Sequence, residues 1–78
     1  MGNIVRVLWF GVAQEIAGTA EEKFMAEDTA ALRLQILEKH PGMRTVKFRL
    51  ALNGTLLKND GQLEENDVIA VLPPFAGG

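Results

Sequence analysis

The chain has 78 residues, a formal net charge of −2 and no cysteine, which limits it to one domain without disulfide bonds or thiolate metal sites. Basic residues do not cluster and no apolar run reaches the roughly 18 residues of a membrane span, so we expect neither nucleic-acid nor membrane partners. The sequence also lacks a signal-peptide pattern, and we expect a cytoplasmic protein.

The first predicted element is a strand over 3–10, NIVRVLWF, because the stretch is rich in β-branched and aromatic residues. Successive side chains of a strand point to opposite faces. One face would carry Val5, Val7 and Trp9. The other would carry Ile4, Arg6, Leu8 and Phe10. Arg6 marks the second face as the less buried of the two.

A short helix over 11–18 and a second strand over 21–27 are predicted next. Gly18 would end the helix, because glycine adopts the left-handed conformation of a helix C-terminus without steric cost. The strand, EEKFMAE, would direct Phe24 and Ala26 inwards. Its charged residues suit the edge of a sheet.

The clearest predicted helix is DTAALRLQILEKHPG, over 28–42. The Asp28 carboxylate can accept backbone N–H bonds at the helix N-terminus, and Pro41 ends the helix because it supplies no N–H. Leu32 and Ile36 stack one turn apart on the apolar face. We expect three further residues to broaden that face: Ala30, Leu34 and Leu37.

A hairpin over 46–57 and a last strand over 68–72 complete the pattern. Asn53-Gly54 predicts the hairpin turn, because both residues tolerate positive φ. In the strand before it, Leu50 and Leu52 would point one way. Arg49 and Ala51 would point the other way.

The resulting order, β-α-β-α-β-β-β, predicts an α+β fold with a mixed sheet packed on one main helix. The first and last strands are apolar on both faces, so we expect them to pair in parallel at the centre of the sheet. This layout is that of a β-grasp, ubiquitin-like domain. We place that domain at residues 1–72 and a flexible C-terminal tail at residues 73–78.

Few residues can support catalysis inside the predicted domain. His40 is the only histidine and the chain has no serine, so a Ser-His or Cys-His nucleophile is excluded. We attribute His40 to the end of the helix, where the helix dipole and solvent stabilise it. Glu64, Glu65 and Asp67 indicate a solvated turn, so no metal site is predicted, and we expect the chain to bind no cofactor.

The predicted tail, by contrast, has residues that suit a role in catalysis. Pro73-Pro74 would project the chain out of the sheet, and Gly77-Gly78 would let the backbone enter a narrow channel. The reactive group so delivered is the carboxylate of Gly78. A free carboxylate is a poor electrophile, so it must first be activated, most simply as a mixed anhydride with AMP. We therefore expect ATP to be used by a partner enzyme, with Gly78 as the catalytic residue.

Motifs along the whole chain resemble those of the MoaD- and ThiS-like family of ubiquitin-like sulfur carriers, in the branch of the molybdopterin synthase small subunit. The motifs are VLWFGVAQEIAG, LRLQILEKHPGM, LALNG, LEENDVIAVLPP and the final AGG. The first of them and the ending DVIAVLPPFAGG are the most specific to this branch.

The resemblance implies a function. An activating enzyme would adenylate Gly78, and a sulfur donor protein would convert its carboxylate to a thiocarboxylate. The tail would then enter the large synthase subunit, in a heterotetramer of two large and two small subunits, and donate sulfur to cyclic pyranopterin monophosphate for molybdenum cofactor biosynthesis. Tail residues that would bind in the large subunit are Pro74, Phe75, Ala76 and Gly77.

The strand pattern independently predicts a partner surface on the sheet face opposite the helix, where an uncovered apolar patch would mark an interface. Its expected members are Leu8, Phe10, Leu56 and Leu72.

The sequence departs from the family at two places. Gln14-Glu15 stands where Arg-Glu is common, which puts a salt bridge and any role it has in doubt. Glu65-Asn66-Asp67 replaces Gly-Asp-Glu, a change of turn chemistry.

Three alternatives remain open from the sequence. A related carrier, for thiamine biosynthesis or tRNA thiolation, would use the same tail with another acceptor. A protein modifier joined to lysines through an isopeptide bond would begin with the same adenylate. A plain interaction domain would leave the tail idle.

Overall fold

The computed structural model describes residues 2–73, which form five strands, two α-helices and a 3-10 helix. The strands are β1 Asn3–Trp9, β2 Glu21–Ala26, β3 Arg49–Leu52, β4 Thr55–Leu56 and β5 Val68–Leu72. The helices are α1 Val12–Ala17 and α2 Thr29–Lys39, followed by the 3-10 helix Pro41–Thr45. The predicted α+β, β-grasp class is confirmed.

The strands form one mixed sheet in the order β2-β1-β5-β3-β4. β1 and β5 are parallel, as predicted, and the other three pairs are antiparallel. β2 lies at an edge, where its charged residues were expected. The last strand therefore occupies the centre of the sheet, between β1 and β3, and the chain beyond it starts from the middle of the molecule.

One face of the sheet packs against the helices to form the core. Alternate residues of β1 and β5 are fully buried there, in agreement with the predicted alternation. The large buried core residues include Trp9, Phe24, Leu32, Ile36, Met43, Leu50, Ile69, Val5, Val7 and Val71. We call the sheet face that points away from the helices the outer face.

Local signals in the sequence fix the ends of the elements. The Asp28 carboxylate accepts a hydrogen bond from the Ala31 N–H at 2.7 Å and so caps α2, as predicted. Gly18 ends α1 in the left-handed conformation. Asn53 and Gly54 both have positive φ, 47° and 89°, which confirms the hairpin turn.

Two predictions about α2 need correction. Leu34 is 63% exposed and Ala30 is exposed too, so the buried stripe is narrower than expected; Leu37 is half-buried against the core. The 3-10 helix after Pro41, which buries Met43, was not predicted from the sequence. Proline fits the first turn of a helix, so it ends α2 and begins the next turn. Within residues 2–73, neither α-helix is long and apolar enough to span a membrane.

Candidate functional site

The chain leaves the sheet at the end of β5. Pro73, the last described residue, is half-buried and lies against Gly11, where an added Cβ would stand 2.9 Å from the Pro73 Cγ. Gly11 has φ of 54° and ψ of −132°, a conformation that suits glycine. Five predicted site residues lie outside the described residues: Pro74, Phe75, Ala76, Gly77 and Gly78.

A row of apolar side chains crosses the outer face. In the strand register Leu8 stands opposite Ala70, Ala70 opposite Ala51, and Ala51 opposite Leu56. Opposed residues of paired strands share a face, so the row spans four strands, or roughly 14 Å at about 4.8 Å per strand. Along the row Leu56 is exposed, Leu8 and Ala70 are half-buried, and Ala51 is buried.

The four residues predicted as a partner interface all lie on or beside this row. Phe10 is 44% exposed and Leu56 is 42% exposed, while Leu8 and Leu72 are half-buried. Phe10 follows Trp9, whose register partner is Val71, the residue before Leu72. Phe10 thus lies close to Leu72 at the end of β5, while Leu8 and Leu56 lie along the row. Their binding of a partner stays a prediction.

An ion pair borders the apolar row. Arg6 donates two hydrogen bonds to the Glu21 carboxylate, at 2.8 Å and 3.0 Å. These hydrogen bonds lower the pKa of Glu21, and the nearby charge of Lys23 adds to the effect. The same hydrogen bonds raise the pKa of Arg6, so the pair is charged at neutral pH. Both side chains are about half exposed, so solvent screens their attraction.

At the other end of the outer face, Arg49 stands opposite Leu72 in the register. Arg49 is exposed, and among residues 2–73 its guanidinium has no ion pair or hydrogen bond. The face of the strand on which Arg49 lies was predicted from the sequence, but its position beside the end of β5 was not. That position follows from the register of β3 against β5, which short-range patterns do not contain.

A second charged cluster lies on the helix side of the sheet and corrects the interpretation of His40. His40 does sit at the C-terminal end of α2, but its side chain is only 13% exposed, so solvent is not its main partner. Its Nε2 lies 2.8 Å from an oxygen of Glu22, and Lys39 pairs with the other oxygen. The imidazole also packs edge-on against Trp9, at 5.1 Å between ring centroids. The cluster ties α2 to β2, a structural role.

The acidic turn before β5 is satisfied by neighbouring groups. Asp67 accepts hydrogen bonds from the Glu64 N–H and the Asn53 amide, and Glu65 accepts one from the Ile4 N–H. In residues 2–73, no group of acidic or histidine side chains could hold a metal ion. The family departure at Asn66 is a turn residue with φ of 69°. Gln14 and Glu15 are exposed on α1.

Several known proteins are similar in sequence to this chain. A model of the ThiS family matches residues 7–78. The chain belongs to the ThiS family. Among curated relatives, the molybdopterin synthase sulfur carrier subunit of Caenorhabditis briggsae is 40% identical, and that of Chlamydomonas reinhardtii is 32% identical. Each match covers 95% of this chain, with 96% and 98% of the respective relative. The resemblance drawn from the motifs is confirmed.

Solved structures agree with this ThiS-family membership. A chain in the protein–protein complex of subunits 1 and 2 of molybdopterin-converting factor from Helicobacter pylori is 34% identical, with a TM-score of 0.71 over 96% of this chain and 99% of that one. The small archaeal modifier protein 1 of Methanosarcina acetivorans superposes with a TM-score of 0.89 over 100% of this chain and 99% of its own, at 24% identity. At that identity the second likeness shows the fold alone.

Proposed function

We propose that this chain is the sulfur-carrier small subunit of a molybdopterin synthase and works in the cytoplasm. The observation that supports this proposal is the sequence identity of the chain to curated sulfur carrier subunits of that complex, which is 32% and 40% over nearly the full length. By itself the chain is not an enzyme under this proposal. It is the sulfur-donating component of a sulfurtransferase complex.

The chemistry takes place at the Gly78 carboxylate. On an adenylating enzyme, a carboxylate oxygen attacks the α-phosphorus of ATP, and pyrophosphate leaves as the acyl adenylate forms. A sulfur nucleophile at the oxidation level of sulfide, supplied by a donor protein, then adds to the carbonyl carbon. AMP leaves and a thiocarboxylate remains. The chain itself binds no cofactor, since the activating enzyme uses the ATP.

We propose that the large synthase subunit binds the tail once the tail carries the thiocarboxylate. Gly77 and Ala76 are small enough for a narrow channel, and Phe75 and Pro74 contact its walls. The terminal sulfur passes to cyclic pyranopterin monophosphate, and two such transfers supply a dithiolene. Leu56 and Phe10 are exposed on or beside the apolar row, and Leu8, Ala70 and Leu72 are half-buried there, which supports a partner at this position because exposed apolar patches mark interaction sites.

Intact mass spectrometry tests the proposal. The chain is incubated with ATP, the adenylating enzyme and a sulfur source, and we expect a mass gain equal to the exchange of one oxygen for one sulfur. Adding the large subunit and the pterin precursor should reverse the gain. A variant with one alanine appended after Gly78 serves as the control, and it should remain folded but gain no sulfur.

Two outcomes would contradict the proposal. Sulfur loss to a thiamine precursor or to tRNA, but not to the pterin, would favour a related carrier. Covalent ladders on other proteins would favour an isopeptide-forming modifier.

A further inference from the structure

The outer face of the sheet has a net charge of opposite sign to the rest of the molecule. Its strand residues include three cations and one carboxylate, namely Arg6, Lys23, Arg49 and Glu21. The face therefore carries a formal charge of +2. Since the whole chain carries −2, the remaining residues sum to −4. A basic face on an acidic protein would orient it towards an acidic partner.

Arg49 differs from the other cations of this face. Arg6 is engaged with Glu21, whereas the Arg49 guanidinium has no partner among residues 2–73. It borders the apolar row through Ala51, two positions along β3. It also stands opposite Leu72, one residue before Pro73. A protein that covers both the apolar row and the end of β5 would therefore lie against Arg49.

Burying an unpaired charge is strongly unfavourable, so such a partner must supply an anion at Arg49. The guanidinium matches a carboxylate in a two-point hydrogen bond, which makes an aspartate or glutamate side chain the natural counterpart. A second copy of this chain fits poorly, because it would bring a +2 face against a +2 face.

We propose that the outer face recognises an acidic surface of the large synthase subunit, and that Arg49 is a specificity-determining residue that pairs with a carboxylate there. The inference rests on the proposed function and adds the chemistry of the partner surface. The pairing fixes the carrier beside the point where its tail enters the large subunit. Arg49 is a positioning residue and takes no part in the transfer itself.

Charge reversal with a matched control tests this inference. Arg49→Glu is compared with Arg44→Glu, which makes the same change at an exposed residue of the 3-10 helix, away from the sheet. Each carrier is prepared with its thiocarboxylate installed chemically, so that activation is not needed. Binding to the large subunit is measured by stopped-flow at about 50 mM and about 500 mM salt, since salt screens exposed charges.

We expect Arg49→Glu to reduce the association rate and the affinity by about tenfold or more at low salt, with a weaker salt dependence than the wild type. Arg44→Glu should stay within about twofold of the wild type, because it lies away from the interface. Arg49→Lys should retain most of the salt dependence. In sulfur transfer, Arg49→Glu should raise the KM for the carrier and leave kcat unchanged.

Equal losses in the two reversal variants would overturn the inference, because net charge alone would then explain them. Wild-type binding that Arg49→Glu does not weaken would also overturn it, while the proposed function stands. Sedimentation of the free chain as a dimer that Arg49→Glu dissociates would assign the face to a second copy. A wild-type thiocarboxylate that neither binds the large subunit nor donates sulfur would instead contradict the proposed function.

Discussion

Leu32 and Leu34 are two positions apart in α2 and have opposite surroundings. Leu32 is fully buried in the core, and Leu34 is 63% exposed. Both were expected on the apolar face, and only Leu32 is there. Two residues correspond to about 200° around a helix, so the two side chains cannot share a narrow face.

This pair gives a matched test of the core. Leu32→Ala should lower the free energy of unfolding by about 2–5 kcal/mol, through lost burial and the cavity left behind. Leu34→Ala makes the same chemical change in solvent and should stay within about 0.5 kcal/mol of the wild type. Urea denaturation followed by Trp9 fluorescence measures both. Similar losses in the two variants would contradict the assigned faces.

Glu22 carries a mostly buried carboxylate that lies between two basic side chains. Burial raises its pKa, but hydrogen bonds from Lys39 and His40, with their charges, outweigh that effect, and the pKa lies below its ordinary value of 4.5. A carboxyl group whose pKa is lower in the folded state stabilises the fold above its unfolded pKa. That stabilisation is lost as the pH falls through the folded pKa.

We therefore expect Glu22→Gln to destabilise the protein at pH 7 by on the order of 1 kcal/mol, because it removes the carboxylate charge that pairs with Lys39. The difference from the wild type should persist down to about pH 4.5 and then shrink as the wild-type carboxylate is protonated. Thermal unfolding across this pH range is the measurement. Glu38→Gln, at an exposed position of α2, is the control and should show little effect at any pH. A difference that does not shrink below about pH 4.5 would be inconsistent with the cluster.

At the scale of secondary-structure elements, the stability of the β3–β4 hairpin depends on the backbone conformation of its turn. Gly54 has φ of 89°, a conformation that costs other residues about 1–2 kcal/mol. Gly61 also lies in a loop, but its φ is ordinary, and nothing lies within 4 Å of where its Cβ would be. Alanine substitutions at these two glycines therefore distinguish the effect of backbone strain from the general effect of adding a methyl group.

Gly54→Ala should destabilise the fold by about 1–2 kcal/mol. Gly61→Ala should be neutral, or stabilising by up to about 1 kcal/mol, because it restricts the unfolded chain without straining the folded one. Hydrogen exchange of the Leu57 N–H, which bonds to the Leu50 carbonyl, would show whether the loss is local to the hairpin. A larger loss at Gly61 would refute this account of the turn.

The elements themselves were largely predictable from short-range patterns. The strict alternation in β1, the Asp28 cap and the Asn53-Gly54 turn are properties of neighbouring residues, and all three are confirmed. Features that depend on distant contacts were not predictable. The pairing of Glu22 with His40 requires β2 to lie beside the end of α2, and the place of Arg49 requires the β3–β5 register.

At the scale of the whole molecule, the protein has two unlike sides. On the outer face, Leu56 belongs to an apolar row that crosses four strands beside the end of β5. On the other side, Leu34 is a single exposed leucine on α2. A single exposed leucine is ordinary, whereas several neighbouring apolar side chains that reach the surface indicate an interface. The proposed function thus places the large subunit on one side only.

The two leucines allow a direct comparison of these sides. Leu56→Ser should weaken binding to the large subunit by about tenfold or more, as expected for loss of an apolar contact at an interface. Leu34→Ser removes a more exposed leucine and should leave affinity within about twofold of the wild type, because that side is far from the contact. Calorimetric titration gives the affinities, and thermal unfolding of the free chain should show both variants folded. If Leu34→Ser weakens binding as much as Leu56→Ser, the large subunit does not dock on the outer face.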